Sequence, residues 1–517
     1  MDQLIYGPSI YTMDIDSPVV EAVGVTDGKI DLVGSKEDLV ELKTQETEVI
    51  NPRAGSMFPG FVDNHVHFLD IGLYELFYVD LSETSSKKEL LEMVRGAKDR
   101  EGSGEWLLGM GWDESDWVGD KKFPTREELD RVVSDRPVAL QRVDMHTFVV
   151  NSRGIDKLNI DPSTEGAATE NGEFTGIFSE NASLKVKQAI APDVKEATDA
   201  LRESVNQAHR KGVTSINQMV VDPGEFGNYF GAYRRLNDRD ELRVHSRIYF
   251  TENYLDQAVN LGLETGFGDD WLRIGGLKLF TDGSIGSRTA WISKPYKGEP
   301  DNTGMSMWDT EKLLGLMKKA DRNGIQLGIH AIGDRAIGQV ISCMEEIVSE
   351  DENKLRHRIE HCEMPSDEQI EKMAKLGIIA SMQPNFIGKW GKPGTMYEER
   401  FGKERLPELN KLKVFKDRDV PLSFSSDGMP FGPLFGIHWA VNAPFDTQRL
   451  CPESAIRAYT LDAAYVEGTE NKIGSIEPGK YADFVLLDEN PIKNPEKIKD
   501  MNVEMTFVEG EVVYSNK

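Results

Sequence analysis

Residues 194–220 read VKEATDALRESVNQAHRKGVTSINQMV. Up to Gly212 the apolar side chains recur at helical spacing, and Lys211-Gly212 is a pair that stops a helix. The apolar run that follows at once, VTSINQMV (213–220), predicts a strand. The same rhythm continues downstream, where RVHSRIYF (243–250), LRIGGLKLF (272–280), IQLGIHAI (325–332), LRHRIEHC (355–362), GIIASMQ (377–383) and VPLSFSSD (420–427) read as strands. Polar helical stretches at 309–323, 334–350, 366–376 and 405–418 separate most of them. Counting GFVDNHVHF (60–68) as the first strand gives eight. Eight helix-strand alternations predict an α/β chain folded as a (β/α)₈ TIM barrel. An open doubly wound sheet would carry a glycine-rich phosphate turn after its first strand, and the sequence has none.

The barrel is expected over 58–467, with β structure from both chain ends beside it. Residues 1–57 read as short strands and turns, and Asp27-Gly28 between two apolar runs marks a hairpin, because glycine supplies the positive φ of a tight turn. Near the other end Pro478-Gly479 suits the middle of a type II turn ahead of the strand ADFVLLD (482–488). Residues 1–57 and 468–517 are therefore expected to build one composite β-sandwich. The interval 70–194 is too long for a single strand-to-helix connection, so it is expected to be an inserted α+β segment, a subdomain or lid.

With 60 Lys+Arg against 88 Asp+Glu, a net charge of −28, the chain repels phosphate backbones and anionic lipid. Nucleic acid and membrane are thus not expected as partners. Three cysteines, widely spaced and odd in number, argue for a reducing compartment. The start MDQLIYGPSIYTMD has neither a basic opening nor an apolar stretch suited to export, and a cytoplasmic location is the expectation. A homodimer is the default for a large cytoplasmic enzyme.

Only nine histidines occur, yet two of them, His65 and His67, stand one residue apart at the end of FPGFVDNHVHFLD (58–70). On a strand, residues i and i+2 share a face, so both imidazoles can reach one point, and a divalent cation would keep both neutral. Other strand ends add Lys278, His330, His361 and Asp427. In a closed barrel these ends converge on one mouth. An ammonium at Lys278 beside metal-bound histidines would be repelled. If Lys278 takes up carbon dioxide as a carbamate, its charge inverts and two oxygens become available to metal.

This combination, with the strings LKLFTDGSIGSR, HAIGDRAI, RIEHCE and IGSIEPGKYADFVLLD, resembles the amidohydrolase superfamily, and within it the amidohydrolase family 3 branch containing N-substituted formamide deformylases. The likeness includes RVDMHTFVVNS (142–152) in the insertion. It implies that His65, His67 and Asp427 bind the more buried metal, that His330 and His361 bind a second, and that a carboxylated Lys278 bridges them. One or two divalent ions are implied, zinc before manganese, iron or nickel. The implied activity is hydrolysis of a non-peptide C–N bond in a small molecule, an amide or an N-substituted formamide, with Asp427 as general base and acid. His146 in the insertion, Asp282 and Arg288 past the fourth strand, and Trp112 are weaker candidates for contact with substrate, and Asp334 reads as a helix cap. Two alternatives stand beside this reading. A mononuclear deaminase of nucleobase-like rings uses similar histidines, but it usually lacks the lysine and has a glutamate where HAIGD has aspartate. A non-catalytic regulatory protein on the same scaffold is the other.

Overall fold

The computed structural model describes residues 1–52, 55–99, 104–114, 117–143, 147–220, 226–348 and 353–516. Eight strands form the expected barrel sheet: β1 (Phe61–Val66), β2 (Val213–Met219), β3 (His245–Thr251), β4 (Leu272–Phe280), β5 (Leu327–Ala331), β6 (Arg358–His361), β7 (Ile379–Met382) and β8 (Leu422–Phe424). Each pairs in parallel with the next. Their residues are buried almost throughout, as a parallel sheet covered on both faces requires. At the seam between β8 and β1 the Asp427 N–H donates to the His65 carbonyl at 2.9 Å. The buried Asp63 carboxylate on β1 also accepts from the Ser426 N–H at 3.0 Å and from the Ser426 hydroxyl.

The helices follow the sequence signals closely. Asp309 caps Thr310–Arg322 by accepting from the Glu311 and Lys312 N–H groups. A Ser366/Gln369 capping box starts Asp367–Leu376, and Gly377 ends it at φ +63°. The stretch 405–418 departs from expectation: it divides into a 3₁₀ segment, Lys403–Glu408, and a short helix, Leu412–Asp417. Pro407 lies inside the first, and its missing N–H rules out one continuous helix. Asp334 is not a cap either; Gly333 occupies that position, and Asp334 Oδ1 accepts from the Ser293 N–H at 2.7 Å.

Strands from both chain ends share one eight-stranded sheet. Its order is Glu511–Ser515, Val503–Val508, Phe484–Leu487, Ser56–Pro59, Gln3–Tyr11, Val19–Thr26, Lys29–Gly34, with Glu48–Ile50 pairing the start of Gln3–Tyr11. The Asp27-Gly28 hairpin has positive φ at both residues, +49° and +72°, the pattern of a type I′ turn. Gly479 at φ +91° fits the expected type II turn. One core joins the two ends: Ile5, Ile10 and Val25 pack with Ile476, Phe484 and Phe507.

Contacts divide the chain into two units, one of Met1–Phe68, Val205–Pro223 and Asn237–Lys517, the other of Leu69–Ser204 and Gly224–Leu236. The second contains the α+β structure expected after the first barrel strand. Its six-stranded sheet runs Ala167–Glu170, Glu173–Phe178, Phe148–Val150, Val138–Arg142, Leu107–Trp112, Tyr78–Asp80. Trp112 and Trp117 are buried in a core with Leu90, Leu129 and Val138. Among the described residues no helix is long and apolar enough to cross a membrane.

His245, at the head of β3, ties the barrel to the terminal sheet. Its Nε2 lies 3.1 Å from Asp483 Oδ2, both residues are buried, and its ring is stacked 4.6 Å from Trp271. Burial alone would push the imidazole down, but the Asp483 carboxylate outweighs it and holds His245 above its ordinary value of 6.5. A raised histidine stabilises the fold fully below the unfolded value and loses that contribution as pH rises through the folded one. The melting-temperature advantage of the parent over His245→Gln should therefore shrink as pH rises above the ordinary histidine value of about 6.5. An advantage that grows over that range would contradict the assignment.

Candidate metal centre

β1 carries His65 at its end and His67 just past it, with ring centroids 6.0 Å apart. The far end of β6 reaches the same place by a different route. Strand alternation turns Arg358 and Glu360 into the barrel, so an extended His361 would face outward. His361 instead has φ +69°, in the left-handed region, and its ring lies 4.8 Å from that of His65. Asp427, past β8, has φ +54°. Such backbone costs a non-glycine residue about 1–3 kcal/mol and is characteristic of functional positions.

His65 Nε2 and His67 Nε2 lie 3.5 Å and 3.1 Å from Asp427 Oδ1. Donor atoms of these three residues all fall within 4.8 Å of one another. The outer nitrogens are fixed by their partners. His65 Nδ1 is 2.7 Å from Glu360 Oε2, His67 Nδ1 is 2.9 Å from the Met219 carbonyl, and His361 Nδ1 is 2.7 Å from Gln383 Oε1. Each partner is an acceptor, so each Nδ1 carries the proton. Burial holds His65, His361 and His330 well below the usual imidazole value, which keeps them neutral. His65 and His361 therefore present bare Nε2 lone pairs. His330 is turned the other way: its Nε2–H donates to the Gly283 carbonyl at 3.1 Å, leaving Nδ1 as the lone-pair nitrogen, and its ring lies 4.6 Å from that of His361.

These acceptors fit a divalent cation. Asp427 Oδ1 is buried and has no hydrogen-bond partner among the described residues, and the His65 lone pair stands against it. A cation shared by imidazole nitrogens and a carboxylate oxygen satisfies all of them. Lys278, only 1% exposed, sets its Nζ 3.4 Å from His65 Nε2 and 4.8 Å from the centre of the Phe280 ring. Burial pulls its amine down to about 8, against the opposing pull of Glu360 and Asp427.

The weaker candidates separate. Asp282 is fully buried and accepts from the Ile332, Gly333 and Trp291 N–H groups at 3.0, 2.9 and 2.8 Å, which pins the loop after β4 to the loop after β5. Burial pushes its carboxyl up to about 7. Arg288 has φ +57° and pairs through Nε with Glu299 Oε1 at 3.1 Å. Trp112 sits in the core of the inserted unit. His146 lies outside the described residues. Sequence reasoning passed over Glu360 and Gln383, whose side-chain oxygens accept from His65 and His361. Their one signal was position, Glu360 immediately before a ligand candidate and Gln383 just past the end of β7.

The chain is similar to known proteins along nearly its whole length. The family model described as amidohydrolase family matches residues 48–514. The Bacillus subtilis (strain 168) protein YtcJ is 30% identical over 536 residues, covering 99% of each chain. The N-substituted formamide deformylase of Arthrobacter pascens is 25% identical, covering 99% of this chain and 98% of its own. The crystal structure of an uncharacterized metal-dependent hydrolase from Pyrococcus furiosus superposes with a TM-score of 0.79 at 30% identity, covering 95% of this chain and 99% of that one.

Metal-depleted protein should gain about 2.7 kcal/mol of stability when free zinc reaches about one hundred times its dissociation constant. His67→Ala should leave the metal-free melting temperature near that of the parent and remove most of the gain. A parent whose melting is indifferent to zinc, manganese, iron and nickel would show that these donors hold no metal.

Proposed function

The chain belongs to the amidohydrolase family, and on that premise we infer that it hydrolyses a non-peptide amide in a small organic molecule, with N-substituted formamides as the first substrates to try. The observation that carries this reading is the convergence of the His65, His67 and Asp427 donor atoms, all within 4.8 Å of one another. His65, His67 and Asp427 would hold one divalent ion, zinc before the other transition metals, and His330 and His361 a second. When bound, such an ion acidifies water and polarises a carbonyl oxygen.

The chain's own residues supply the proton handling. Asp427 takes a proton from the water that attacks the carbonyl carbon. It then delivers that proton to the amine nitrogen as the C–N bond breaks, leaving a carboxylic acid and a free amine. Lys278 completes the ligand set after reacting as a neutral amine with carbon dioxide; the new N–C bond gives a carbamate, and one proton leaves to solvent. Supporting this, Lys278 is buried against His65 Nε2. Phe386 stacks on His361 at 6.0 Å and Trp390 lies 4.9 Å from Phe386, an aromatic wall suited to an apolar substituent. The same reading has the enzyme cytoplasmic and homodimeric, and needs neither nucleic acid nor membrane.

A screen of simple amides and N-substituted formamides, following amine and carboxylate release, tests the reaction class; ammonia released from nucleobases, with no amide cleaved, would replace it by deamination. Asp427→Asn should retain metal while turnover falls roughly 10²–10⁴-fold, and near-parental turnover would remove Asp427 from its role. Lys278→Ala should lose activity and regain part of it with a short carboxylic acid at high concentration. Absence of rescue, together with no carbamate carbon in the NMR spectrum of parent protein equilibrated with carbon-13 bicarbonate, would exclude the carboxylated lysine.

A further inference from the structure

Beneath the converging ligands the barrel interior carries a carboxylate with no part in the proton transfers above. Glu360 on β6 has no exposed surface. One oxygen, Oε2, lies 2.7 Å from His65 Nδ1, and the other, Oε1, lies 2.6 Å from Arg358 Nε. Arg358 is equally buried and stacks 4.7 Å from the centre of the Tyr249 ring on β3, a strand that does not adjoin β6, so the contact runs across the barrel. Room for this pair comes from β5, where a Cβ on Gly328 would stand 2.9 Å from Glu360 Oε1.

A buried arginine-glutamate pair is seldom more stabilising than an apolar pair of similar volume, because desolvating two charges offsets their attraction. Stability alone therefore does not account for Glu360. A carboxylate aimed at the outer nitrogen of an imidazole does two further things: it fixes which nitrogen is bare, and it makes that nitrogen a better donor to metal. We propose that Glu360 is a positioning residue which, braced by Arg358, holds His65 in the Nδ1–H tautomer and ring orientation that present Nε2 to the cation. This rests on the metal reading of the site.

The test compares two double variants of the full chain that remove the same charges. Arg358→Met with Glu360→Gln keeps an acceptor for His65, whereas Arg358→Met with Glu360→Leu removes it. Zinc affinity is measured by competition with a chromogenic chelator, and folding by thermal melting. The expected result is zinc binding about 10- to 100-fold weaker in the leucine double variant than in the glutamine one, with similar melting temperatures. Equal zinc affinities in the two would overturn the role of Glu360 while leaving the metal site standing. A parent that takes up no zinc would overturn both. A second measurement needs no variant: with nitrogen-15-labelled histidine in metal-free parent protein, His65 should show a protonated Nδ1 and a bare Nε2, and the opposite tautomer would also overturn the proposal.

Discussion

The hydrogen bond from the Asp427 N–H to the His65 carbonyl joins the first barrel strand to the segment following the last. Eight parallel strands leave two free edges unless those edges are brought together, and here the joining residues are themselves two of the candidate ligands. Closing the seam and assembling the donors are thus one event. Asp63 and Ser426 reinforce it from below. The site needs no separate device to bring residue 65 to residue 427, because the geometry of a closed barrel already does so.

The interior beneath the site is less ordinary. Barrels of this kind are usually filled with branched apolar side chains, yet this one buries Arg358 against Glu360 and Arg247 against Glu467, at 2.6 and 3.2 Å. Ser215 on β2 donates to Glu467 Oε2 at 2.9 Å. An unpaired charge in such surroundings costs several kcal/mol, so the members of these pairs depend on one another. Paired charges thus occupy the interior between the helix Leu461–Glu467 and His65, a region where apolar side chains would fill space without a hydrogen bond to the ring.

Much of this was legible in the sequence. Seven of the eight strands fall within the segments that their apolar runs marked and β3 extends one residue past its own, because parallel strands buried on both faces are mostly apolar. His65 and His67 are readable as a pair because a strand repeats every two residues. His361 and Asp427 were found as strand-end residues, but their backbone was not: strict alternation would aim His361 away from the site, and only the left-handed turn reverses it. Glu360 was hidden by the same alternation, since a residue next to a ligand is expected to face elsewhere. The stretch 405–418 was misread because its polar periodicity masked Pro407. Trp112 belongs to a core because large aromatic side chains serve packing first.

The sheet shared by both chain ends has a consequence for how the molecule is born. Ser56 and Glu489, joined by a hydrogen bond beside that sheet, are separated by 433 residues. A ribosome adding roughly 5–20 residues per second needs on the order of 20 to 90 seconds to cover that distance. Throughout that wait the strand Ser56–Pro59 lacks its partner Phe484–Leu487, leaving a nascent edge exposed to neighbouring chains on a polysome. Closure of this sheet is therefore a late event of synthesis, and the unfinished edge stays open to wrong pairing until the strand Phe484–Leu487 emerges.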